Sequence, residues 1–132
     1  MLPPASADAL PPPGFAPRPQ PPYYAVIFTS QRTEADGGYG ETAEHMVLLA
    51  REQPGYLGVE SARGGDGLGI TVSYWRSLAD ITAWRSQLDH AQTRARGRAE
   101  WYTHYELRIA KVERAYGWDE ATSPPRTDPG QS

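Results

Sequence analysis

The chain is predicted to fold as an α+β domain of the ferredoxin-like, split βαβ type, in the order β-α-β-β-α-β with a four-stranded antiparallel sheet. Three observations predict it. Apolar residues alternate with period two in four segments, which begin near Tyr23, Tyr56, Gly67 and Tyr102. Helical periodicity fills the gap between the first and second segments and again between the third and fourth. Between the second and third lies only Gly64-Gly65-Asp66-Gly67, the composition of a hairpin turn.

Residues 1–22 hold nine of the 13 prolines. Proline has no amide proton and a fixed φ, so a disordered arm is expected there. Tyr23 to Arg32 follows as a strand with two apolar faces, Tyr24, Val26 and Phe28 on one and Tyr23, Ala25 and Ile27 on the other, both of which need cover. Glu41 to Gln53 places Ala43, Met46, Val47 and Ala50 on one helical stripe, with His45 opposite, and Pro54-Gly55 stops the helix. Tyr56 to Arg63 is the second strand, with Leu57 and Val59 on one face.

The stretch from Gly67 to His90 organises the rest. Leu68, Ile70, Val72 and Tyr74 alternate with Gly69, Thr71, Ser73 and Trp75, and the period changes at Ser77. Ser77 with Asp80 forms an N-cap, and Leu78, Ile81, Arg85 and Leu88 make a stripe with Trp84 at its edge. Asp89 to Arg98 reads as a separate short helix opened by Asp89. Tyr102 to Tyr116 is the last strand, with Tyr105, Leu107 and Ile109 on one face and a bulge expected near Ala110-Lys111. Residues 119–132 read as a flexible tail, which leaves 23–118 as the single domain.

A net charge of −3 and a pI near 5.6 argue against nucleic acid or an anionic membrane as partner. There is no cysteine, so disulfide and thiolate chemistry are excluded. No apolar run reaches membrane-span length and no signal-peptide pattern opens the chain, so a cytoplasmic protein is expected. His45, His90 and His104 fall on separate elements without ligand spacing, so no metal site is expected. Two helices cover one side of such a sheet. The other side stays apolar, and a second copy packing sheet to sheet would bury it, so a homodimer is expected.

A strand that delivers Tyr74 and Trp75 into a helix bearing Trp84 can build an aromatic pocket wall. His90 is the candidate base, because imidazole titrates near neutrality. Arg94, with Arg96 and Arg98, suits either an anionic substrate or a solvated helix face. Glu60 and Arg63 on the second strand, and Glu113 with Arg114 on the last, suit cross-strand or intersubunit ion pairs.

The runs Gly55-Tyr-Leu-Gly-Val-Glu-Ser-Ala-Arg63 and Gly67-Leu-Gly-Ile-Thr-Val-Ser-Tyr-Trp-Arg-Ser-Leu78, with Ala83-Trp84, His90 and Trp101 through Val112-Glu-Arg114, resemble the antibiotic biosynthesis monooxygenase family over nearly all of 23–118. The resemblance implies the dimeric α+β barrel. It also implies one of several activities: oxidation of polycyclic phenols to quinones by dioxygen with no cofactor, haem binding and breakdown, or no catalysis, leaving a small-molecule-binding or structural dimer. For the first, Trp84, Tyr74 and His90 would be catalytic, with Trp75, Phe28, Ser30 and Arg94 binding an aromatic ligand. Two departures stand out. Active members use an asparagine near the end of the first strand, and this chain has no asparagine, Thr29 or Ser30 occupying that region. The axial histidine of haem-degrading members falls in register on Arg94, about one turn beyond His90.

Overall fold

A computed structural model describes residues 11–34, 49–90 and 101–120, with 88–90 described by backbone alone. Strands β1 (Tyr23–Arg32), β2 (Tyr56–Arg63), β3 (Leu68–Trp75) and β4 (Tyr102–Val112) form one antiparallel sheet in the order β2-β3-β1-β4. A helix α1 ends over residues 49–52, and α2 spans Leu78–His90. The outer strands are thus the second and fourth in sequence, the arrangement that two interleaved βαβ crossovers generate. Most of the stripe expected on α1 lies outside the described residues. Its last member, Ala50, is buried.

Register decides which side chains share a face. Tyr24, Val26, Phe28 and Ser30 of β1 pair with Trp75, Ser73, Thr71 and Gly69 of β3 and with Lys111, Ile109, Leu107 and Tyr105 of β4. This is the face the helices cover. Val26, Ala50, Trp75 and Ile81 form its core, with Tyr24, Tyr56, Trp84 and Leu107 packed around them. At roughly 1.5–3 kcal/mol per buried large side chain, this cluster is the main source of stability among the described residues.

The expected start of α2 is present. Ser77 Oγ accepts from the Asp80 amide at 3.1 Å and donates to Asp80 Oδ2 at 2.9 Å, so one side chain both caps the helix and orients its first acid. The stripe differs from expectation, since Ile81 is buried while Leu78 is half exposed. The hairpin is closed by Gly64 and Leu68, whose amide and carbonyl lie 2.9 Å apart.

Four expectations are corrected. β4 pairs with β1 without interruption from Val112 to His104, so there is no bulge at Ala110-Lys111. The register shifts instead at Gln31/Arg32, opposite Thr103. β4 ends at Val112, which lies across from Tyr23 on the face away from the helices. Asp89 opens no new helix, because α2 runs unbroken to His90; residues 91–100 lie outside the described set. Finally, the second half of the proline-rich stretch is docked rather than loose. The Ala16 amide donates to Glu60 Oε2 at 3.0 Å, and Ala16 and Pro17 lie over Gly58, where a Cβ would sit 2.9 Å from Pro17 Cδ. Proline forbids a ladder, yet a single free amide next to it is enough to fix the segment on a carboxylate. Residues 1–10 and 121–132 lie outside the described residues.

The arm covers the Tyr23, Ala25 and Tyr74 end of the face away from the helices. Tyr23 and Ala25 are buried there, whereas Leu68 and Ile70 at the other end stay about half exposed, at 50% and 48%.

Candidate functional site

Strand alternation decides which candidates meet. Trp75 is fully buried on the helix side, and its ring stacks on Trp84 with centroids 5.0 Å apart and planes tilted by 30°. Tyr56 meets Trp75 edge-on at 5.7 Å. The two indoles are treated differently. Trp75 Nε1 donates to Ser73 Oγ, two residues back on the same face, at 2.9 Å. Trp84 Nε1 is buried with no partner, and it is the one such side-chain polar atom among the described residues. An unmade hydrogen bond of this kind costs on the order of 1–3 kcal/mol, which a ligand oxygen would recover.

Tyr74 does not belong to this wall. It follows Ser73 and precedes Trp75, so the pleat turns it to the opposite face, against the arm. There its hydroxyl donates to Glu60 Oε1 at 2.7 Å and its ring meets Tyr23 edge-on at 5.8 Å. Glu60 is therefore a bracket between the sheet and the arm, while Arg63 lies on the other face. Burial first, then the hydrogen bond to Glu60 and the charges nearby, push the Tyr74 phenol above the ordinary tyrosine range. Tyr23 is raised mainly by burial, with Arg18 working against the shift.

This has a consequence for stability. The folded protein holds the Tyr74 proton where the unfolded chain has lost it, so unfolding releases a proton above about pH 10. The urea midpoint should accordingly hold up to that pH and fall above it, and Tyr74→Phe should flatten the fall. An unchanged slope in the variant would detach Tyr74 from the effect.

The remaining candidates lie further along. Phe28 is on the helix face, with its ring 5.5 Å from Tyr102 and 5.2 Å from Tyr105. Thr29 turns away, opposite Ile70 and Glu106, so only Ser30 of the pair can face the site. Ser30 is 2% exposed and accepts from Arg63 Nη2 at 2.7 Å. Ser30 is six residues from Tyr24, the partner of Trp75, or roughly 20 Å at strand rise. His90 ends α2; its side chain and all of Arg94 lie outside the described residues. The helix N-terminus expected to sit beside His90 is not formed there. Tyr56 and Arg63 are the residues the sequence reading passes over as site members. The glycine at position 69 is the available signal for the second, since a glycine inside an alternating strand marks a close approach. Among the described residues no cluster of His, Asp and Glu could hold a metal ion, and no helix is long and apolar enough to cross a membrane.

Comparison with known proteins places this geometry. The uncharacterized protein YqjZ of Bacillus subtilis (strain 168) is 55% identical over 105 residues, which cover 80% of this chain and 92% of YqjZ. SnoaB of Streptomyces nogalater, a cofactor-independent oxygenase, aligns with a TM-score of 0.58 at 15% identity, over 72% of this chain and 97% of its own. PA3566 of Pseudomonas aeruginosa aligns at 0.52 and 16% identity, over 73% and 97%. Identities this low speak to the fold alone. The family model described as antibiotic biosynthesis monooxygenase matches residues 22–96, from the end of the arm through the pairing strands to beyond α2. With more than half of its length matched in this way, the chain belongs to the antibiotic biosynthesis monooxygenase family.

Proposed function

We propose that the protein is a monooxygenase that oxidises a polycyclic phenolic small molecule with dioxygen, using no metal or organic cofactor. The observation that carries this reading is the buried, unpartnered indole N–H of Trp84 stacked on Trp75. A flat aromatic ligand beneath α2 would gain ring contact and give that N–H an oxygen to bond. In the reaction a phenol and dioxygen become a quinone and water. The ring loses two hydrogens and gains one oxygen, and the second oxygen leaves as water. The electrons come from the deprotonated phenol, so the protein must remove the phenolic proton and stabilise the resulting anion. Trp84 suits the second task. His90, at the end of α2, is proposed for the first, while Tyr74 on the far face is set aside.

The family and the likeness of fold to SnoaB support the reading. The half-exposed Leu68 and Ile70 on the face away from the helices support a homodimer paired through that face. A single-chain mass in sedimentation equilibrium would remove the dimer. The absence of asparagine, together with a Ser30 hydroxyl already held by Arg63, favours a second reading in which the same fold binds an aromatic ligand without turning it over.

An oxygen-electrode screen of chelator-treated protein against hydroxylated anthrones and naphthols decides between them. Oxygen uptake matched by quinone absorbance is expected, with Trp84→Phe lowering kcat/KM by roughly 10- to 100-fold, the worth of one hydrogen bond to a charged oxygen. Binding with no uptake across the panel would leave only the second reading.

A further inference from the structure

At the end of the helix-side face away from Trp75, one row crosses all four strands: Arg63 of β2, Gly69 of β3, Ser30 of β1 and Tyr105 of β4. The Arg63 side chain lies along this row. Its guanidinium passes over Gly69, where a Cβ would stand 2.6 Å from Cζ, and reaches β1 two strands away. There Nη2 donates to Ser30 Oγ at 2.7 Å and Nη1 to the Ser30 carbonyl at 3.2 Å, with a further bond from Nη1 to the Gly67 carbonyl.

Counting donors shows what is left. A guanidinium has five N–H groups, and the three bonds use both of Nη1 and one of Nη2. The Nε proton and the second Nη2 proton have no partner among the described residues, nor is any carboxylate paired with this cation. The nearby acid on the hairpin, Asp66, has one oxygen on the Leu68 amide, and Glu60 projects from the opposite face onto Tyr74 and the arm. Ser30, itself 2% exposed, accepts from Arg63 and so has its own hydroxyl proton free to donate. The Phe28, Tyr102 and Tyr105 rings cluster beside it.

We propose that Arg63 and Ser30 form an anion-recognition subsite, and that the ligand of this protein is an aromatic compound bearing a carboxylate or phenolate. The proposal rests on the reading that an aromatic molecule occupies the helix-side face. A planar guanidinium with two donors in reserve matches the two oxygens of a carboxylate, and docking on Ser30 and the Gly67 carbonyl fixes its orientation in advance. Gly69 is required because any side chain there would deny the guanidinium its path. The roughly 20 Å between this row and the Trp75 end favours an extended ligand, with its rings toward the indoles and its charge toward Arg63.

The test uses anthracenecarboxylate and its methyl ester as probes, read by fluorescence anisotropy on the full chain at low salt. The wild type should bind the carboxylate at least ~10-fold more tightly than the ester, a preference that shrinks as salt rises. Arg63→Gln should remove the preference by weakening carboxylate binding far more than ester binding, and Arg63→Lys should keep part of it. Gly69→Ala, which leaves the charge present but displaces it, should weaken carboxylate binding with a far-ultraviolet spectrum like the wild type. Equal affinity for the two probes, binding of neither, or a preference that survives Arg63→Gln overturns the proposal. Its outcome is separate from that of the oxygenase reading, because the probes report binding and consume no oxygen.

Discussion

Trp75→Ala is expected to destabilise the protein by about 3–5 kcal/mol, the range for removing a large aromatic from a core. Trp75 is the fully buried centre of the helix-side layer, stacked by Trp84, met edge-on by Tyr56 and tied to Ser73 through its indole N–H. Its loss leaves a cavity between sheet and α2 and also orphans the buried Ser73 hydroxyl. A domain of this size has about 5–15 kcal/mol in hand, so one substitution removes a large share. Urea unfolding followed by circular dichroism measures it, with Trp75→Phe expected to lose less. A loss under about 1 kcal/mol would mean that the indole is not the keystone of the layer.

Gly55→Val should cost about 2–4 kcal/mol, from left-handed backbone strain and a broken helix cap together. Gly55 has φ +83°, and a Cβ there would stand 2.7 Å from Asp80 Cβ. That contact is with the root of the side chain and not its mobile tip, so Asp80 must leave Ser77 and the first turn of α2 must shift. The Gly55 carbonyl also accepts the Arg76 amide at 2.8 Å, joining the end of α1 to the approach to α2. Calorimetry on Gly55→Val and Gly55→Ala should show both less stable, valine the more so. Equal stability to the wild type would show that α2 is capped independently of this turn.

The sheet was legible in the sequence because its information is local. Alternation in Tyr23 to Arg32 and Leu68 to Trp75, the glycine hairpin and the Ser77 cap each sit within a few residues. What sequence reading assembled wrongly depends on register. Tyr74 and Trp75 are neighbours in the chain and strangers in the fold, since the pleat sends them to opposite layers. Arg63 reads as an ordinary strand-end charge until pairing sets it beside Gly69 and Ser30, and no local pattern encodes that row. The docked arm was hidden for a related reason. Its prolines exclude ladder pairing, but nothing near Ala16 announces that Glu60, 44 residues later, will accept its amide. The bulge moved from Ala110-Lys111 to the Gln31/Arg32 level because Val112 is placed by its partner Tyr23, and an apolar side chain at that position suits the arm-covered face without any slip.

The direct measurement is the indole N–H spectrum of nitrogen-labelled protein during titration with a polycyclic naphthol or anthrone under anaerobic conditions. Trp84 Nε1–H, buried and without a partner, should move strongly downfield as a ligand oxygen accepts from it, while Trp75 Nε1–H, already bonded to Ser73, should move little. If saturating ligand shifts only the exposed Trp118 and leaves Trp84 in place, the layer beneath α2 is a filled core and the site lies elsewhere.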